Sequence, residues 1–328
     1  MDNTIKSIGE RGLLALFEKL VDEGDLPYND DAVAFPISLD LSMVVNIDTF
    51  VAKTDAPPTM SPYQMGAKAV TAAISDLAAK GVKPQYIIAS GAFPDDFSIE
   101  QTVALVKGIQ ETSHLYKCKF LGGDTNAASD VIISIVAIGE IKKSLLLKRS
   151  GAHENDVICT TGLFGLTGAG FKVFLDNINA TENQRRLFKE AIFSPKARVK
   201  EGIILANFRR ITSCIDSSDG LAWCFKEILR NKKNLGIRIK DLPIHKDVME
   251  FAKENNFSAE DFTLFAGEEF ELIFTLPEKY VQSLSKSLDF YIIGRIVFDE
   301  QERILLESND EIKVIEPRGW EHFVNLKK

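Results

Sequence analysis

The aspartates of this chain stand where a folding chain can least accommodate them. Asp48 closes the apolar run Met43–Ile47, Asp124 closes Phe120-Leu121-Gly122-Gly123, and Asp216 closes Ile211–Ile215. Asp219 follows in Ser217-Ser218-Asp219-Gly220, Asp76 interrupts the apolar helical stretch Ala73–Ala79, and Asp30 with Asp31 precedes Ala32–Phe35. Aspartate is a poor strand former and is costly to bury without a partner. Its repetition at the mouths of apolar segments points to a shared positive charge. Mg²⁺ is the natural candidate, because it takes carboxylate oxygens and is often shared with substrate phosphates.

The 328 residues suffice for one large or two ordinary domains, and a hydrophobic content of 45% describes a globular chain with a sizeable core. A net charge of −8 disfavours a broad nucleic-acid footprint. Cys118, Cys159, Cys214 and Cys224 form no CxxC pair and read as buried thiols. His114, His153, His245 and His322 show no metal spacing. No leader-like apolar segment or membrane-length run is present, so a cytoplasmic protein without membrane contact is expected.

Periodicity predicts helices over 8–21, from Pro62 to Lys80 behind a Ser61 cap, over 98–114, 181–191 and 198–208, and from Leu221 to Lys232. Strands are expected at 32–37, 43–48, Tyr86–Ser90, Lys119–Leu121, Val131–Ile138, Val157–Thr161, 211–216, Ile237–Ile239, Leu272–Leu276 and Tyr291–Ile296. The intervening Gly122-Gly123-Asp124-Thr125 reads as a loop. A polar joint at 142–156 places a boundary between an N-terminal domain, 1–145, and a C-terminal domain, 146–328. Ser75-Asp76-Leu77-Ala78 is echoed by Ser218-Asp219-Gly220-Leu221-Ala222, one copy on each side of that boundary.

Gly165-Leu166-Thr167-Gly168-Ala169-Gly170 opens a helix after a strand. It is either an anion-binding helix N-terminus or a tight turn, and it matches neither the P-loop nor the Rossmann spacing. The protein-kinase signatures are absent as well. A ring of carboxylates holding Mg²⁺ is the alternative design for phosphoryl transfer, which needs alignment and charge neutralisation more than covalent chemistry. Alternation along Glu268–Phe274 would send Glu269 and Glu271 to one side of a strand and Phe270 and Leu272 to the other.

The ordered motifs Asn29-Asp30-Asp31-Ala32, Ile47-Asp48-Thr49, Ser75–Gly81, Gly122–Thr125, Arg149-Ser150-Gly151-Ala152, Ile215–Leu221, Gly267–Thr275 and Ile293–Ile296 resemble the thiamine-monophosphate kinase family. That family lies in the aminoimidazole-ribonucleotide synthetase superfamily, and the resemblance spans nearly the whole chain. It implies an α/β fold of the α+β type in two domains, with an N-terminal sheet that dimerises and a C-terminal mixed sheet with helices. It further implies ATP bound near the dimer-lined cleft and direct transfer of its γ-phosphate to thiamine phosphate. By motif position Asp30, Asp48, Asp76, Asp124, Asp216 and Asp219 correspond to Mg²⁺ ligands, with Asp124, Asp216 and Asp219 nearest the chemistry. Gly123, Arg149 and Ser218 correspond to nucleotide contacts, and Glu268 and Trp320 to contacts with the thiamine moiety. The chain departs from the family pattern at Asn29 for Gly, Ile47 for Thr, Ala73 for Asn and Val106 for an aromatic residue. Asp55 stands where the family places a substrate-side His. A relative with another acceptor, or a silent nucleotide-binding protein, are the alternatives.

Overall fold

The computed structural model describes residues 4–308 and 311–323. The first half runs α1 (Ile5–Phe17), β1 (Val33–Pro36), β2 (Leu41–Val51), α2 (Ala52–Asp55), α3 (Pro62–Ala79), β3 (Tyr86–Phe93), α4 (Ile99–Leu115), β4 (Lys119–Ala127) and β5 (Ile132–Lys142). Its five strands form one sheet in the order β1-β2-β5-β3-β4, antiparallel except for the β3–β4 pair. Helix α1 ends earlier than periodicity suggests and is broken at Gly9, whose φ of 67° lies in the left-handed region.

Serine caps fix the two long helices. Ser61 and Gln64 form a reciprocal capping box on α3, with Pro62 at the first helical position, and Ser98 and Gln101 repeat the box on α4. Helix α3 is buried on nearly every side, because it packs on β2 and β5 and also meets the second half of the chain. That double burial explains its alanine-rich composition, and it leaves only special positions for charge.

Two expectations are corrected here. The Gly122–Thr125 loop lies within β4. A side chain at Gly123 would place its Cβ 1.5 Å from the Ala89 carbonyl oxygen, so glycine allows β4 to close against the irregular register of β3. Strand β2 also does not stop at Asp48 but continues to Val51. Period-two alternation then turns Asp48 to the same side as Val44 and Asn46, while Ile47 faces outward, 65% exposed. The Ile47 replacement therefore sits on the far face of the sheet from Asp48.

The second half contains β6 (Asp156–Thr160), α5 (Leu166–Phe174), α6 (Glu182–Phe193), α7 (Val199–Phe208), β7 (Ser213–Asp216), α8 (Leu221–Ile228), β8 (Leu235–Ile239), α9 (Lys246–Glu254), α10 (Ala259–Phe265), β9 (Leu272–Pro277), α11 (Val281–Leu284), β10 (Tyr291–Phe298), β11 (Ile304–Ser308) and β12 (Glu311–Ile315). Its sheet has the order β12-β11-β8-β10-β6-β9-β7, antiparallel except for β8–β11. Helices α9 and α10 and the β11–β12 hairpin are not evident from periodicity, and α8 is shorter than the expected Leu221–Lys232. One apolar core runs from beneath the first sheet through α3 to Cys159, Cys214, Leu272 and Phe274 of the second. The four cysteines are buried and free. Among the described residues no helix is long and apolar enough to cross a membrane.

Candidate active site

The carboxylates meet where α3 passes the end of β7. Asp76 projects from α3, and its Oδ2 accepts from Asn46 Nδ2 at 2.5 Å. An amide from β2 thus reaches the acid although the helix carries Ala73. Asp216 ends β7, and its Oδ2 accepts from Ser75 Oγ at 2.6 Å. Asp31 arrives from the turn before β1, so that one oxygen each of Asp31, Asp76 and Asp216 lies within 4.8 Å of the others. Burial, then the charge of neighbouring acids, pushes Asp76 well above the ordinary carboxylate range and Asp216 up to about 7. The Asp216 Oδ1 is buried with no hydrogen-bond partner. An orphaned oxygen among converging hard ligands fits a divalent cation such as Mg²⁺.

A buried lysine and a partly buried arginine frame the cluster. Lys80 follows α3, is fully buried, pairs with Asp30 and with Asp31 Oδ2 at 2.7 Å, and donates to the Cys214 carbonyl at 3.1 Å. Burial pushes the Asp30 carboxyl upward, but Lys80 and Arg149 together outweigh it and hold the group below its ordinary value. Arg149 Nε and Nη2 grip Asp31 Oδ1 at 2.6 and 2.5 Å, and its Nη1 reaches the Asn29 carbonyl and Glu227. Asp30 therefore faces its lysine, and Asp31 stands beside Asp76 and Asp216. The donors of Arg149, expected at the nucleotide, are directed at protein acceptors.

A cavity of about 130 Å³ opens next to this cluster and brings together Asp48, Asp55, Ser218, Asp219, Glu268 and Trp320. Burial, helped by Asp55 and Glu268, raises Asp48 to about 6, and burial, helped by Glu10, raises Asp219 to about 6. Asp55 is partly satisfied, its Oδ2 accepting from Val51 N at 2.7 Å. Trp320 rides on a C-terminal strap whose backbone N donates to the Asp219 carbonyl at 3.0 Å. Helix α1 fastens the strap through the Arg11–Glu321 pair at 3.1 Å and through Glu10, which accepts from His322 N. Arg11 also lies 3.3 Å above the Trp223 ring.

Sequence reasoning missed two ionisable residues of the cavity. His322 arrives on the same strap. Lys68, on α3 and only 2% exposed, pairs with Glu268 at 2.7 Å. Its only signal in the sequence is a fourfold spacing, since Lys68, Ala72, Asp76 and Lys80 fall at i, i+4, i+8 and i+12 on one helix.

Other expectations are redirected. Glu268 and Phe270 are left-handed, with φ of 64° and 53°, so Gly267–Glu271 is not an alternating strand start. Its three acids diverge: Glu268 enters the cavity, Glu271 pairs with Arg198, and Glu269 caps α5. The Glu269 carboxylate accepts from Gly165 N at 2.7 Å, Thr167 N at 3.1 Å and Thr167 Oγ1 at 2.9 Å. The anion received by that glycine-rich helix opening is thus the chain's own. Asp124 stands exposed on edge strand β4, apart from the converging three. A larger groove of about 350 Å³, near Val281, Phe290 and Ile292, holds a single acid, Asp289, and none of the expected site residues.

Residues 29–141 match the N-terminal domain of AIR synthase related proteins. The thiamine-monophosphate kinase of Pyrococcus abyssi is 36% identical over 320 residues, covering 97% of each chain. That of Nitrosopumilus maritimus is 33% identical over 285 residues, covering 86% of this chain and 89% of the relative. Among solved structures, AaThiL complexed with AMPPCP and TMP shares the fold, with a TM-score of 0.86 at 23% identity over 98% of this chain and 99% of that one. This chain belongs to the thiamine-monophosphate kinase family, a family of kinase enzymes.

Proposed function

We propose that this kinase transfers the γ-phosphate of ATP directly, in line, to the phosphate of thiamine phosphate, giving thiamine diphosphate. The observation that carries the reading is the junction of two sites. A cavity lined by Glu268, Asp219 and Trp320 adjoins the converging acids Asp31, Asp76 and Asp216. The cavity suits a cationic aromatic ring, with carboxylates for its charge and an indole for its face. The acid cluster suits the metal that accompanies ATP. The relatives named above carry the same activity in their names, and AaThiL was solved with AMPPCP and TMP.

Asp31, Asp76 and Asp216 would hold Mg²⁺, which when bound neutralises phosphate charge between donor and acceptor. Lys80 and Arg149 orient Asp30 and Asp31, keeping the turn before β1 against β7. Asp48 and Asp219 border both the cavity and the cluster, for Asp48 adds to the charge felt by Asp76 and Asp219 to that felt by Asp216. A phosphate acceptor needs no strong general base, since its second pKa is near ~6. That agrees with a site rich in carboxylates.

We place the domain division at 145/146, between the end of β5 and the start of β6. We also propose a homodimer through the outer face of the first sheet. Val33, Val45, Ile138 and Tyr86 lie in one register row across it, and Ile47, Val136 and Ile88 in the next. Ile47 and Leu121 are more than half exposed. A contiguous apolar sheet face of this kind fits a second copy of itself. The activity is tested by ADP release in Mg²⁺ with thiamine phosphate, with thiamine, or with neither. Acceptor-dependent turnover with thiamine phosphate alone is expected, and ATP binding without such turnover would sink the assignment.

A further inference from the structure

We propose that Lys68 and Glu268 form an ion pair that separates when the acceptor enters, Lys68 taking its phosphate and Glu268 its cationic ring. The inference rests on thiamine phosphate as the acceptor and adds the residue that selects it.

Glu268 occupies Lys68 with both carboxylate oxygens. The Lys68 ammonium sits 2.7 Å from each Glu268 carboxylate oxygen and donates to the Asp55 carbonyl at 2.9 Å. Both carboxylate oxygens thus crowd the ammonium, and a phosphate can take their place only if Glu268 yields. The Asp55 carbonyl keeps the ammonium in place when it does. Glu268 is also held by its backbone, whose N donates to the Ser218 carbonyl at 2.7 Å. Both groups line the cavity, and Lys68 is the one lysine or arginine among its lining residues.

The pairing also explains why a buried lysine is tolerated beside Asp48, Asp55, Asp219 and Glu268. Unpaired, either charge would be costly to bury. A zwitterion replaces one ion pair by two and leaves no partner stranded. A cation without phosphate strands Lys68, and a phosphate without a cationic ring strands Glu268. The pair therefore selects for both charges on one molecule, partly by penalising ligands that carry only one.

The test measures binding of thiamine phosphate, thiamine and inorganic phosphate to the full-length wild type, Lys68→Met, Lys68→Arg and Glu268→Gln by calorimetry. Loss of a charge-assisted contact predicts that Lys68→Met weakens thiamine phosphate on the order of 10- to 100-fold. The same variant should bind thiamine more tightly than wild type, because Glu268 is released. Glu268→Gln should show the reverse, weaker for thiamine phosphate and tighter for inorganic phosphate. Lys68→Arg should retain thiamine phosphate within a few-fold, and ATP affinity should be unchanged throughout. A purely structural role would weaken all acceptor ligands together, and that outcome, or no change, would overturn the exchange while leaving the acceptor assignment standing. Failure of the wild type to bind thiamine phosphate would remove both.

Discussion

Replacing Lys80 by Met tests whether this buried ammonium holds the acid cluster in place. The side chains are similar in length, so the cavity term is small and the charge dominates. Lys80 is fully buried, and the side chains of its partners Asp30 and Asp31 are 1% and 0% exposed. Without it, Asp30 keeps only the backbone N of Arg149 and of Asp31, and Asp31 keeps Arg149. Removing one partner of a buried pair costs about 3–5 kcal/mol. At about 2–4 °C per kcal/mol, that lowers Tm by at least roughly 6 °C. The pH dependence gives a second, sharper reading. In the wild type Lys80, with Arg149, holds Asp30 below its ordinary value, so the stability it provides is present above the unfolded pKa and is lost in acid. In the variant only Arg149 is left to oppose burial, the largest influence on the group, and Asp30 rises. The folded state then binds more protons than the unfolded one, and stability falls as pH rises. The gap between wild type and Lys80→Met must widen from pH 5 to pH 8. Thermal unfolding by circular dichroism, without divalent ions, measures it. A gap of about 1 kcal/mol or less, or one that grows on acidification, would refute the reasoning.

The same sign argument applies to the metal-free wild type. Asp216 titrates near 7 and Asp76 is also raised, so stability should decline as pH rises from about 4 to about 7. Mg²⁺ competes with protons for those oxygens, and its stabilising effect should be larger at pH 8 than at pH 5; an equal Tm shift at both would contradict the assignment. Asp216→Asn should raise the metal-free Tm, since it removes a buried, repelled carboxylate, while abolishing turnover. Ile88→Glu should convert a dimer to a monomer by light scattering, and a wild type already monomeric at working concentration would refute the dimer face.

Much of the frame is legible in the chain because local signals and tertiary packing agree there. Ser61 with Gln64 and Ser98 with Gln101 start α3 and α4 at the expected places, and the apolar runs that end in Asp216 and contain Asp76 lead directly to the cluster. What is not legible depends on backbone turns and on partners distant in sequence. Left-handed Glu268 and Phe270 separate three neighbouring acids into a cavity, a helix cap and an ion pair, and no periodicity encodes that. Asp30 and Asp31 are adjacent and chemically identical. Lys80 pairs with both, and only Asp31, gripped also by the Arg149 side chain, stands at the metal-type cluster.

The lysines of α3 show why the missing part is the functional part. At the end of an isolated helix, Lys80 is what the helix dipole favours at a surface, and Lys68 is an ordinary solvated position. Because α3 packs on the first sheet on one side and on α7 and β7 on the other, both lysines are withdrawn from the surface, Lys80 fully and Lys68 but for the cavity it lines. Each must be met by acids from elsewhere: Glu268 for Lys68, Asp30 and Asp31 for Lys80. The i, i+4 ladder from Lys68 through Ala72 and Asp76 to Lys80 therefore lays the proposed acceptor cavity, the acid cluster and the turn before β1 along one rigid rod. With a rise of about 1.5 Å per residue, Lys68 and Asp76 lie roughly 12 Å apart along its axis. The proposed donor and acceptor sites, mounted on one helix, keep their separation whatever the loops do. In the proposed transfer, whose catalysis is chiefly the alignment of two anions, that fixed separation is the property the fold has to supply.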